Sequence, residues 1–351
     1  KILINTPPPS NIGGVANHYK GLKKYWTEDV CYNYIGGRKG IPGSVIIIFD
    51  LLKFIYKCLA IRPHVVVLNP SLGKTALMRD GLFLSISKIL GIKTVVFFHG
   101  WDEGQEQQID QNPDNFVKKF NRADAFLVLA SSFQKKLKEW GITKPIQLTT
   151  TKVDDDLVKD FEIGQKELGK NLLYLARIEP GKGIFITLKA FKEINKQHPD
   201  ARLTVAGSGS ALPKAKEYVK EKNITGVEFK GYVTGGELET VFRESSIYIL
   251  PTHAEGMPTS VLEAMVFGLP IITRPVGGMV DFFKNGEMGY MVESLEPADF
   301  ADKTIGILDN PQSQKEMGEF NYVYAKKNFM ASGVAVQLEE LFKGVSTNSY
   351  N

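Results

Sequence analysis

Asn171-Leu-Leu-Tyr-Leu-Ala-Arg-Ile-Glu-Pro-Gly-Lys-Gly-Ile184 reads as a strand, a tight turn and the start of a helix. Leu172–Ala176 is a short apolar run of strand length. Pro180, Gly181 and Gly183 punctuate the turn, and helical periodicity begins near Ile184. Downstream, further strand-like runs follow at Arg202–Ala206, Val227–Lys230, Ile247–Leu250, Pro270–Thr273 and, shorter, Gly289–Val292, with helical patterns between them. Upstream the same alternation occupies the first half. Its strands are expected at Ile2–Asn5, Val30–Ile35, His64–Asn69, Thr94–His99, Ala125–Ala130 and, more weakly, Ile146–Thr150. Helices are expected at Ala16–Trp26, Ser44–Ile61, Thr75–Leu90, Pro113–Arg122 and Ser132–Trp140. Such βαβα order implies α/β architecture: parallel, doubly wound sheets with helices on both faces.

The alternation breaks once, at the polar segment Lys152–Gly169. With 351 residues, two domains are the natural division. We therefore expect a first domain over 1–153, a linker over 154–169 and a second domain over 170–315. Residues 316–351 are expected as terminal helices, read at Gln314–Asn328 and Gly333–Phe342, that pack back on the first domain. Two such sheets would place a central cleft between them, facing the carboxyl ends of the strands.

Composition narrows the function. The apolar fraction of 43% and charged fraction of 23% are those of an ordinary globular enzyme. No run of about 20 apolar residues predicts a transmembrane helix, and Lys1–Asn5 reads as a strand rather than a signal peptide. Cys31 and Cys58 match no metal spacing and predict no disulfide, so a cytoplasmic location is expected. The net charge of +4 is unevenly spread: residues 1–150 hold 20 Lys+Arg against 11 Asp+Glu, the remainder 23 against 28. A basic first half suits an anionic partner or surface, or is simply a solvated face. No nucleic-acid-reading motif accompanies it. Gly43–Ile61 is apolar around much of a helix. It either packs beneath the sheet or dips into an anionic membrane surface, helped by Lys20, Lys23, Lys24, Arg38, Lys39 and Arg62.

Candidate chemistry gathers at strand ends. Arg177 and Lys182 on a strand-to-helix loop suit a diphosphate, Arg by forking onto two oxygens and Lys as a point charge. Two exposed cations are the plain alternative. In Glu255-Gly-Met-Pro-Thr-Ser-Val-Leu-Glu263, Met257-Pro258-Thr259 should start a helix whose free N–H groups favour phosphate or sugar oxygens. The two carboxylates would flank that site and accept from hydroxyl groups. Glu263 is equally explained by a capping box with Ser260, and Glu255 by a first-turn acid. Gly13-Gly14 open a helix after the first strand, either for close ligand approach or as tight-turn glycines. The dinucleotide fingerprint GxGxxG is missing there, against an NAD-dependent oxidoreductase. His99 follows an apolar strand, where a neutral imidazole suits a sugar hydroxyl or a structural role. Asp154-Asp-Asp156 falls in the expected linker and reads as a solvated turn, so no essential divalent metal or other cofactor is expected.

Taken in order, these motifs resemble the retaining GT-B glycosyltransferases of family four (group 1). They are Gly13-Gly14, Arg177 with Lys182-Gly183, the Glu255–Glu263 spacing, and Gly268-Leu-Pro270 followed by Pro275-Val-Gly-Gly278. The resemblance implies two Rossmann-like domains and transfer of a hexosyl or N-acetylhexosaminyl group from a nucleotide sugar. The acceptor would be a glycan or lipid-linked hydroxyl in bacterial-type surface polysaccharide or glycolipid synthesis. It implies that Arg177 and Lys182 hold the diphosphate, Glu263 the ribose and Glu255 the sugar. Gly256, Met257, Pro258 and Thr259 would line the donor site, and Gly207, Gly209, Tyr232 and Val233 the base. His99 would take the acceptor-side histidine position. Family members often carry Asp directly after that histidine; here the order is His99-Gly100-Trp101-Asp102, which leaves the role of Asp102 open. A nucleotide-sugar epimerase of the same fold, or a catalytically silent nucleotide-sugar-binding partner, are the rival readings.

Overall fold

The computed structural model describes residues 1–11, 13–38, 40 and 42–347; Ile12, Lys39 and Ile41 lie outside the described residues. The chain forms two compact units, Lys1–Lys152 with Ala331–Asn351, and Val153–Met330.

In the first unit the main strands are β1 (Ile2–Thr6), β2 (Val30–Tyr34), β3 (Val65–Leu68), β5 (Lys93–Phe98), β7 (Ala125–Val128) and β8 (Ile146–Leu148). They pair in parallel in the order β2-β1-β3-β5-β7-β8. A small pair, β4 (Ser71–Leu72) with β6 (Gly100–Trp101), decorates the loops beyond β3 and β5. The helices are α1 (Gly14–Leu22), α2 (Gly43–Ile61), α3 (Lys74–Ile89), α4 (Glu103–Gln111), α5 (Asp114–Phe120) and α6 (Ser131–Trp140). β3 is wholly buried Val-Val-Val-Leu, as expected of a central parallel strand covered on both faces.

The second unit repeats the plan. Its strands are β9 (Asn171–Leu175), β10 (Arg202–Ala206), β11 (Val227–Gly231), β12 (Ile247–Leu250), β13 (Ile271–Thr273) and β14 (Gly289–Met291). They pair in parallel in the order β11-β10-β9-β12-β13-β14. The helices are α7 (Ile184–Gln197), α8 (Leu212–Glu221), α9 (Gly236–Glu244), α10 (Thr259–Val266), α11 (Pro297–Leu308) and α12 (Pro311–Asn328). Relabelled by sequence, this is the doubly wound order 3-2-1-4-5-6, whose strand order reverses between β9 and β12. In the first unit the reversal falls between β1 and β3.

Two expectations need correction. The stretch 154–169 is no free linker: Val158 and Phe161 are buried in the second unit's core, and Asp154 accepts from Asp156 N at 3.2 Å to cap a 3-10 turn. The return to the first unit begins at Ala331 rather than at 316. α12 stays on the second unit, where Asn321 donates through Nδ2 to the carbonyls of Leu269 (2.8 Å) and Met288 (2.9 Å). Only α13 (Ala331–Thr347) joins the first unit. There Glu339 accepts from Thr27 N (2.7 Å), Thr27 Oγ1 (2.6 Å) and Glu28 N (2.8 Å). In addition, α4 occupies a segment to which the sequence reading assigns no element, and Asp102, whose role was open, is its N-cap, accepting from Gln105 N at 2.7 Å. Both cysteines are free, and no described helix is long and apolar enough to cross a membrane.

Candidate donor site of the second unit

Parallel strands all deliver their loops to one sheet edge, and the β9/β12 reversal leaves a crevice between diverging loops. After β9 the chain carries the exposed Arg177, then Ile178, whose N–H donates to Ser208 O at 2.9 Å. The loop after β10 is thereby tied to the loop after β9. Gly207 makes this approach possible: φ is +136°, and a Cβ there would lie 1.9 Å from Ala176 O. A Cβ on Gly209 would lie 2.3 Å from Ile178 O. Glu179 accepts from Ser210 N at 3.0 Å and from its hydroxyl, and these bonds hold its carboxyl below the usual range.

Pro180–Lys182 forms one 3-10 turn, closed by Gly183 at φ +77° before α7. A Cβ on Gly183 would sit 2.1 Å from Pro251 O, so this turn presses directly on the end of β12. The contact brings two distant sequence motifs together. Lys182 Nζ lies 2.6 Å from Glu255 Oε1 and donates to Ala254 O at 3.0 Å. Thr252, fully buried, donates its hydroxyl to the same Glu255 oxygen at 3.1 Å. Behind Glu255, Gly277 at φ +56° would put a Cβ 2.3 Å from Glu255 O, and Gly278 N donates to Gly256 O at 2.8 Å. The Pro275–Gly278 motif thus clamps the backbone of Glu255 and Gly256.

α10 starts at Thr259 with Pro258 at its N-cap and no side-chain cap. The capping-box explanation of Glu263 therefore fails. Ser260 instead accepts from Tyr248 OH at 2.7 Å, a hydroxyl that also lies 2.8 Å from Leu175 O. Burial raises the Tyr248 hydroxyl well above its ordinary value, and the nearby charges of Glu255 and Glu263 add to this. Nor is Glu255 a first-turn acid: it precedes α10 and pairs with Lys182. Tyr232 is exposed and Val233 buried just beyond β11, at the same sheet edge. Thr252, Glu179 with Ser210, and Tyr248 are the residues that motif reading missed; only their places at or beside strand ends could have signalled them.

The sequence-predicted residues of the first unit sit at its own strand-order reversal. His99 Nε2 lies 3.0 Å from Asn69 Oδ1, which also accepts from Tyr19 OH at 2.6 Å. An amide oxygen can only accept, so with Asn69 in this orientation the His99 Nε2 is the donor of that bond. Burial pushes its pKa down to about 3, so the ring is neutral. Gly13 is extended (φ 171°) and precedes α1; a Cβ on Gly13 or Gly14 would meet no described atom within 4 Å. Neither tight geometry nor crowding by described residues demands glycine there. Among the described residues no group of three or more His, Cys, Asp or Glu could hold a metal ion.

Residues 157–323, nearly all of the second unit, match the family model described as glycosyl transferases group 1. The second unit is similar to this family over almost its whole length. Over the whole chain the fold is that of GT-B glycosyltransferases. Anabaena HepE, solved in complex with UDP and glucose, superposes with a TM-score of 0.73 at 14% identity, covering 98% of this chain and 99% of that one. Among curated relatives, the D-inositol 3-phosphate glycosyltransferase of Paenarthrobacter aurescens is 28% identical over 182 residues. An uncharacterized glycosyltransferase of Methanocaldococcus jannaschii is 26% identical over 155 residues. These matches span 50% and 44% of this chain, and only 44% and 43% of the two relatives. The Lys182–Glu255 pair and α10 thus lie inside the segment that carries the glycosyltransferase family's signature.

Proposed function

We propose that the chain transfers a hexosyl or N-acetylhexosaminyl group from a nucleotide-diphosphate sugar to a hydroxyl of a glycan or lipid-linked acceptor. Surface polysaccharide or glycolipid synthesis is the setting we favour, at the cytoplasmic face and with peripheral contact to an anionic membrane. The observation that carries the reading is the joining of Lys182, Glu255 and Thr252 across the β9/β12 reversal. An ammonium has three N–H donors, and Glu255 with Ala254 O engage two, leaving one for a phosphate oxygen. Arg177, exposed at the same edge, adds a second cation. Glu255 would hold sugar hydroxyls, Glu263 the ribose, and Gly256, Met257, Pro258 and Thr259 the sugar and phosphates near the start of α10. Gly207, Gly209, Tyr232 and Val233 would border the base, Gly13 and Gly14 would admit the donor's far side, and neutral His99 would steady the acceptor.

The reaction we infer proceeds with retention. The acceptor oxygen bonds to the anomeric carbon on the face from which the diphosphate departs, the carbon–oxygen bond to the diphosphate breaks, and a diphosphate oxygen takes the hydroxyl proton. Stabilising the leaving diphosphate is then the main catalytic work, and two fixed cations supply it. We therefore read the enzyme as needing no divalent metal. A panel of nucleotide sugars, scored by thermal stabilisation of the chain, tests the reading. One preferred donor, with transfer unchanged by a chelator, is the expected outcome; stabilisation by none would sink it.

A further inference from the structure

The helix α2 is built inside out. Its charged side chains turn inward: Asp50 is buried and accepts from Arg38 Nη2 at 2.7 Å and Gly36 N at 2.9 Å. Lys53 and Lys57 donate to the carbonyls of Tyr34 and Tyr32 on the edge strand β2. The outward stripe is apolar instead. Ile48, Phe49, Leu52, Tyr56 and Leu59 are each between 58% and 71% exposed. Over 19 residues this helix runs about 28 Å at ~1.5 Å per residue. α3 packs beside it through Phe54 and Phe83, ring centroids 5.0 Å apart, and adds exposed Met78 and Leu82. Water-facing helices normally carry the opposite pattern, and a continuous apolar face of this kind marks a contact surface.

Charge says what covers it. Residues 36–91 contain eight Lys and Arg but only two acids, Asp50 and Asp80. Both acids are buried, and they pair with Arg38 and Arg79. No carboxylate of this segment therefore faces solvent, whereas Arg38, Arg62 and Lys74 do. A second copy of the chain, placed face to face, would bring two cationic rims together. An anionic bilayer complements both features at once. We propose that the α2–α3 face rests on an anionic lipid surface, with the α2 stripe in the boundary between headgroups and acyl chains and the cations on lipid phosphates. This deepens the membrane contact proposed above and rests on that reading for its biological purpose, because it would hold the chain where lipid-linked acceptors are found.

The test sediments the full chain with phosphatidylcholine vesicles, with and without phosphatidylglycerol, at low and high salt. Binding should require the anionic lipid and weaken with salt. The double substitution Phe49→Ser/Leu52→Ser, at exposed positions, should lower the partition coefficient at least ~10-fold with an unchanged circular dichroism spectrum. Arg62→Gln/Lys74→Gln should lower it by roughly an order of magnitude, only on anionic vesicles. No binding by the intact chain, or binding indifferent to Phe49→Ser/Leu52→Ser, overturns the proposal. So does a concentration-dependent dimer in ultracentrifugation that the same double substitution dissolves. Nucleotide-sugar stabilisation is read on the same preparations. Its loss with vesicle binding intact strikes the donor reading alone; the reverse strikes the membrane contact alone.

Discussion

The two units share a six-stranded parallel sheet, yet fill the crevice at their strand-order reversal differently. In the second unit the loops carry charge: Arg177, Lys182, Glu255 and, one turn into α10, Glu263. In the first unit the corresponding place is occupied by neutral groups bonded to one another. Asn33 Nδ2 donates to Asn5 Oδ1 at 2.8 Å, Asn69 Nδ2 to Asn5 O at 2.8 Å, and Tyr19 and His99 converge on Asn69. The same scaffold thus carries charged side chains at the strand-order reversal of one unit and an uncharged hydrogen-bonded network at that of the other. The lesson is that topology fixes where chemistry is placed, while loop composition fixes which chemistry it is.

The sharpest way to break this contrast is to remove charge from the second unit. Lys182→Ala should cut transfer by ~10²–10³-fold and abolish donor stabilisation while leaving the circular dichroism spectrum intact. Near-normal turnover in that variant and in Arg177→Ala would remove the leaving-group role from both cations. A smaller effect should come from geometry alone. Gly207→Ala forces a side chain against Ala176 O at positive φ, and should destabilise the second unit by roughly 2–3 kcal/mol in denaturant melts.

For the first unit, Asn69→Ala strips the partner from His99 Nε2 and Tyr19 OH. A loss of about 1–3 kcal/mol is expected, confined to that unit's transition. Unchanged melting would mean that the network is incidental. The mildest test is pH. His99 titrates near 3 in the fold against ~6.5 unfolded, so only the unfolded chain gains a proton between those values. Its contribution is complete above pH ~6.5 and erodes as the pH falls toward 3, at no more than about 1.4 kcal/mol per unit. Buried His18 is shifted in the same direction, first by burial and then by His99 and Lys152. His99→Gln should therefore flatten the pH profile of the unfolding midpoint without levelling it.

Much of the fold was legible because parallel strands advertise themselves. Runs such as Val95–Phe98 and Ile247–Leu250 are apolar at every position, which covering on both faces demands. The less legible parts depend on distant partners. Glu103–Gln111 buries only Ile109, so no apolar stripe marked a helix. α12 and α13 are neighbouring helices, and only the surface each meets assigns them to different units. Within the site, the motif residues were visible through their spacing. Thr252 and Asn69 were not, because a lone Thr or Asn after a strand has no pattern until the fold supplies its partner. The capping box offered as the plain alternative for Glu263 could be discarded only with the structure, where α10 starts from Pro258 and Ser260 bonds to Tyr248.

The placement of α13 also sets an order in time. A ribosome delivers residues 1–152 first, yet the helix that seats Glu339 on Thr27 and Glu28 emerges only after all of the second unit. The nascent first unit must therefore wait, with the flank of α1 uncovered, while its neighbour is made and folds. The first unit is thus completed by a helix that can dock only after the whole of the second unit has been made.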